Sequence, residues 1–93
     1  MSNLEKYYPG DDDWNEYVIH FNDDWNESDI QLRLLNKLGN QQDLAKVISG
    51  KVGAEALNWV SKNIPALDGL TPIECLADDA LVKRLKTALM RMP

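Results

Sequence analysis

Ninety-three residues with a formal net charge of −5 and a single cysteine bound the chain to a few classes. Cys75 has no partner for an internal disulfide, and no apolar run approaches the roughly 20 residues of a membrane span. Without a basic-then-apolar start of the signal-peptide kind, the expectation is one small soluble, cytoplasmic domain that buries roughly 60–65% of its unfolded surface.

The front of the chain is acidic and aromatic. Residues 1–30 hold nine acids against one base, Lys6, a net of −8, and six of the seven aromatic residues fall between Tyr7 and Trp25. Residues 31–93 hold six acids against nine bases, a net of +3. Two segments follow from this split: an acidic aromatic stretch over 1–30 and a helical domain over 31–93.

Pro9-Gly10 and the aspartates after it read as an exposed arm or turn. Trp14, Tyr17, Val18, Phe21 and Trp25 then follow helical spacing, with Asp13 as N-cap and Glu16 in the capping-box position. The spacing favours a helix over the competing β-branched and aromatic strand at 17–21. Asn22-Asp23-Asp24 reads as a break. Ser28 and Gln31 form a second capping box, opening a helix through Ile30, Leu34, Leu35 and Leu38 that stops at Gly39.

Asn40 is placed to cap a helix carrying Leu44, Ala45, Val47 and Ile48, with Gly50 as its end. A further helix carries Val52, Ala56, Leu57, Trp59 and Val60 and closes at Asn63 and Pro65. The elbow at 63–76 follows, with the turn dipeptide Asp68-Gly69 and a capping box at Thr71-Pro72-Ile73-Glu74. Ile64, Leu67, Leu70, Ile73 and Leu76 recur every third residue there, which predicts a packed loop. A short helix from Thr71 to Leu76 leads to a last one, capped by Asp78 or Asp79, with Leu81, Val82, Leu85, Leu89 and Met92 on one face. The fold class is all-α, a small single-domain bundle of five or six short helices.

Catalysis has little support in these residues. His20 is the single histidine and is remote in sequence from Cys75, so a buried, inert thiol is favoured over a nucleophilic pair. The acids at 11–13 and 23–24 lack the alternation and central glycine of a calcium loop. No glycine loop is built to cradle phosphate. The expectation is a non-enzyme with no cofactor and no metal.

Residues 41–63 resemble the helix-turn-helix of Cro-like repressors, with Leu44-Ala45, a glycine near the turn and a second helix ending at Trp59. Gly50 falls one position late, and few bases are offered to phosphates, so DNA binding is disfavoured. The aromatic front has two readings. Trp14 and Trp25 either pack on the domain's own core or anchor a partner that the acids attract.

Residues 53–92 resemble the toxin-binding domain of the Xre/MbcA/ParS antitoxin family. The likeness rests on Trp59-Val60, on the loop residues Asn63, Pro65, Ala66, Leu67, Gly69, Thr71 and Pro72, and on Glu74 and Leu76. It extends to Val82, Leu85, Leu89 and Arg91 of the final helix. What the resemblance implies is an antitoxin that silences a RES-domain toxin, an NAD-consuming enzyme, by plugging its active-site entrance with the C-terminal helix and tail. Met90, Arg91, Met92 and Pro93 would then sit at the toxin pocket, with Lys83, Arg84 and Lys86 as further partner-binding residues. Trp59, Pro65, Leu67, Gly69, Thr71, Pro72 and Glu74 would be structural. A small DNA-binding regulator and an adaptor that uses the acidic front are the alternatives. The sequence also leaves room for a homo-oligomer.

Overall fold

The computed structural model describes residues 4–91. Residues Leu4–Tyr7 wind into a single 3-10 turn instead of an exposed arm, and this turn packs on the last helix. Pro9-Gly10 then leads into the first α-helix. Gly10 has φ +113°, a conformation only glycine adopts readily, and serves as N-cap of α1, Asp11–Ile19. Helix α1 therefore begins earlier than Asp13, and no side chain caps it. Asp11, Asp12 and Asp13 all lie in its first turn, where carboxylates favour the exposed N–H groups and the positive end of the helix dipole.

Helix α2, Asp29–Lys37, starts at the expected capping box, with Ser28 and Gln31 bonded reciprocally. Gln31 reaches further than a cap. Its Nε2 donates to the Asp24 carbonyl at 2.8 Å and to Ser49 Oγ at 3.1 Å, while Oε1 accepts from the Asn26 backbone at 2.9 Å. A buried amide with both ends satisfied thus ties the 22–28 connection to the next helix.

That next helix is α3, Gln42–Val52. Asn40 does not cap it: Asn40 has φ +64° and donates its backbone N–H to the Leu35 carbonyl, closing α2 together with Gly39. Gly50 does not end it either. The helix runs on to Val52 and stops at Gly53, φ +68°. Gly50 is instead a site of close approach, since a Cβ there would fall on the ring of Phe21. The anticipated helix over 52–60 is split into a 3-10 turn at Gly53–Glu55 and a one-turn α4, Ala56–Trp59.

The elbow is packed as its periodicity predicts. Leu67 and Pro72 are buried, and Ile64, Leu70, Ile73 and Leu76 lie against the core. Asp68 and Gly69 take φ +57° and +82°, letting the Gly69 N–H bond the Ile64 carbonyl at 3.1 Å. The capping pair is present in both directions: Glu74 N–H donates to Thr71 Oγ1 at 3.1 Å, and Thr71 N–H donates to Glu74 Oε1 at 2.8 Å. It opens a 3-10 turn, Glu74–Ala77, where an α-helix from Thr71 was expected. Asp78 then accepts the Ala80 N–H at 2.8 Å and starts α5, Asp79–Arg91.

Helix α3 is the hub. It packs against α1, α2, α4 and α5, and Leu44, Ala45, Val47 and Ile48 are all fully buried on it. Trp14 and Val18 from α1, Leu34 and Leu38 from the α2 region, and Leu85 and Leu89 from α5 complete one core. Each fully buried leucine or isoleucine contributes about 1.5–3 kcal/mol relative to exposure. The acidic front segment is thus built into the same core as residues 31–93. Among the described residues the fold is all-α, without a strand.

Candidate partner-binding surface

Helix α5 carries the cations that the sequence offers to a partner, and the fold treats them differently. Arg84 is committed internally. Its Nε and Nη2 donate to the two carboxylate oxygens of Glu5, each at 3.0 Å, and Nη1 donates to Asp68 Oδ2 at 3.1 Å. Its side chain is only 13% exposed. One guanidinium therefore joins the Leu4–Tyr7 turn, the elbow and α5. The hydrogen bond from Arg84 holds the Glu5 carboxyl below its ordinary range, and the same bond raises Arg84 further.

Lys86 is also used within the chain. Its Nζ lies 3.8 Å from Asp43 Oδ2, 5.3 Å from the Trp14 ring centroid and 5.8 Å from that of Tyr8. The same Asp43 carboxylate accepts the Trp14 indole N–H at 2.8 Å. Tyr8 in turn donates to Asp11 Oδ1 at 2.7 Å, and burial, followed by that carboxylate, pushes its phenol above the ordinary value. Arg84 and Lys86 thus tie α5 to the Leu4–Tyr7 turn, the elbow and α3 through carboxylates of the chain itself.

Lys83 and Arg91 remain exposed. Arg91 lies over the ring of Tyr7, 4.8 Å from its centroid, and no carboxylate among the described residues is within ion-pair distance of it. Met90, one residue earlier, is half-buried against the core. Met92 and Pro93 lie outside the described residues. The last turn of α5 therefore presents a cation at the edge of a rigidly held helix.

The two aromatic candidates separate. Trp14 is 1% exposed and belongs to the core. Trp25 is half-buried, packed against that core, and its indole N–H is buried without a hydrogen-bond partner among the described residues. Large apolar side chains exposed on the front half are Tyr7, Ile19, Ile30 and Leu32. The contact between Tyr7 and Arg91 spans 84 residues of chain, so no local pattern announces it.

Trp59 is half-buried and, with Glu55, Asn58 and Lys62, lines an open concavity of about 320 Å³. Asn58 Nδ2 donates to Glu55 Oε2 at 3.2 Å. This is where a recognition helix would have to lie, and α4 supplies four residues. Of the other motif residues, Leu67 and Pro72 are buried, Gly69 and Thr71 make the turn and its cap, and Glu74 and Pro65 are exposed. His20 is exposed, whereas Cys75 is buried, and burial pushes its thiol up and away from the reactive thiolate. Among the described residues no three His, Cys, Asp or Glu side chains are grouped to hold a metal ion, and no helix is long and apolar enough to cross a membrane. Comparison with protein-family models, curated proteins and solved structures finds no match.

Proposed function

We propose that this chain is a non-enzymatic, antitoxin-like protein that binds a RES-type NAD-consuming toxin and occludes its active site with the C-terminal end of α5. The observation that carries the reading is the division of labour on that helix. Arg84 and Lys86 are consumed in fixing its direction, while Arg91 at its end keeps its hydrogen-bonding capacity. A guanidinium presents a planar fork that matches a carboxylate bidentately, and a helix already held by the elbow loses little freedom on docking. The elbow supports the reading indirectly. Its packed turn and the Thr71–Glu74 capping pair set the angle at which α5 leaves the domain. Cytoplasmic residence belongs to the same proposal, since the toxin's substrate is an intracellular cofactor.

Co-expression with a RES-type toxin tests it. Cells should retain their NAD when the wild-type chain is present and lose it when Arg91→Ala replaces it. NAD loss undiminished by the wild-type chain would sink the reading. A second reading, an adaptor for another protein, is favoured by one feature alone: Ile19 and Ile30 are exposed on the strongly acidic segment, with Leu32 exposed just beyond it. Trp14 cannot serve it, being buried.

A further inference from the structure

The N-terminal turn and the end of α5 meet along one line. Arg84 and Arg91 are seven residues apart, two helical turns, and so lie on the same stripe of α5. Glu5 meets the first and Tyr7 meets the second, as successive rungs from a single 3-10 turn. The rungs differ in chemistry. Glu5 satisfies Arg84 with both carboxylate oxygens, whereas Tyr7 offers Arg91 only the negative face of a ring. An aromatic face attracts the charge but supplies no carboxylate lone pairs. The fork of Arg91 is therefore confined without being used. Tyr7 itself is 62% exposed, which is unusual for an aromatic ring that serves only the core.

We infer that Tyr7 is a positioning residue of the partner-binding surface. Its ring holds the Arg91 guanidinium at the end of α5 so that the fork meets a carboxylate of the bound protein already oriented. The recognition surface then draws on both ends of the described chain, and not on the motif-bearing half alone. The chemical sense is entropic. A free arginine side chain surrenders several rotatable bonds on binding, and a ring that already restricts them removes part of that loss. Glu5 and Arg84 matter to this by anchoring the turn that carries Tyr7, and the Tyr8–Asp11 hydrogen bond secures its other end. This inference rests on the proposed function for its partner, and its tests separate the two.

Full-length Tyr7→Ala, Tyr7→Phe, Arg91→Ala and the Tyr7→Ala/Arg91→Ala double variant are titrated against a purified RES-domain toxin. Tyr7→Ala should weaken binding about two- to fivefold, the worth of an exposed cation–aromatic contact, and Tyr7→Phe should restore it. In the Arg91→Ala background Tyr7→Ala should cost nothing more, because there is no guanidinium left to position. In the free protein, NMR should show the Arg91 side-chain protons shifted upfield by the ring current, a shift lost in Tyr7→Ala and kept in Tyr7→Phe. Melting temperature should be nearly unchanged in Tyr7→Ala, so misfolding does not account for weaker binding. Wild-type affinity in Tyr7→Ala, an equal loss with and without Arg91, or an absent ring-current shift each overturns the inference while leaving the proposed function standing. If the wild-type chain does not bind the toxin at all, the proposed function fails, and the claim of a recognition role for Tyr7 fails with it.

Discussion

Trp14→Ala distinguishes a core residue from a docking residue more sharply than any other change on the acidic front. The indole is 1% exposed, donates its N–H to Asp43 at 2.8 Å and lies beneath the Lys86 ammonium at 5.3 Å. Truncating a buried tryptophan costs about 3–5 kcal/mol from lost transfer energy and the cavity left behind. The Asp43 carboxylate would keep Lys86 at 3.8 Å and water, so the lost hydrogen bond adds only about 1 kcal/mol. For a chain of 93 residues, 1 kcal/mol corresponds to about 5 °C in melting temperature, so the combined loss of about 4–6 kcal/mol lowers it by about 20–30 °C. Total stability for this size is roughly 5–14 kcal/mol, and a chain near the lower limit would not fold. Trp14→Phe keeps most of the apolar ring and should lose only about 1–2 kcal/mol. Thermal unfolding followed by far-UV circular dichroism reads both. A wild-type melting temperature in Trp14→Ala would refute the placement and return the residue to the surface as a partner anchor.

Gly50→Ala should destabilise by about 0.5–2 kcal/mol, because overpacking against Phe21 outweighs the better helix propensity of alanine, and urea unfolding that showed a gain would mean the Phe21 ring swings aside freely. Thr71→Ala removes the elbow's cap and should cost about 1 kcal/mol; combined with Glu74→Ala the losses should be less than additive, as a double-mutant cycle in urea can establish. The Glu5 carboxyl is held below its ordinary value of 4.5 by the hydrogen bond from Arg84, so the stability it contributes is full above that pH and is lost as pH falls through the lowered value. The protection factor of the Leu4–Tyr7 turn, with the intrinsic exchange rate divided out, should therefore fall only below about pH 4.5, and Glu5→Gln should remove that change in protection. A protection factor in the turn that did not change with pH would contradict the anchoring role of the pair.

Features whose two partners are near in sequence were legible before the fold was known. The Ser28–Gln31 and Thr71–Glu74 capping pairs each span three residues, and both form. The apolar faces of α3 and α5 were legible for the same reason, since period alone sets which side chains turn inward. Ile30, expected on the inner face of α2 with Leu34 and Leu38, is instead exposed. Gly50 reads as a helix stop in sequence because glycine serves two ends. Here it admits the Phe21 ring, 29 residues back along the chain, and nothing local announces that contact. Gly10 and Gly53 stand at the actual helix boundaries through their positive φ. The basic residues of α5 looked alike in sequence. What sorts them is tertiary: carboxylates at positions 5, 43 and 68 reach Arg84 and Lys86, whereas Arg91 meets a ring and, among the described residues, no carboxylate. The proposed surface is thus half visible in sequence, with Arg91 readable from the motif-bearing helix and its contact with Tyr7 hidden by distance along the chain.

The central claim is that the end of α5 closes the toxin's active site through Arg91. The direct measurement is NAD turnover by a purified RES-type toxin titrated with the wild-type chain and with Arg91→Ala. The account predicts that wild type abolishes turnover at stoichiometric ratio, and that Arg91→Ala, which folds with an unchanged melting temperature, needs at least about thirtyfold more protein to do so. Equal inhibition by the two proteins, or none by either, would contradict it.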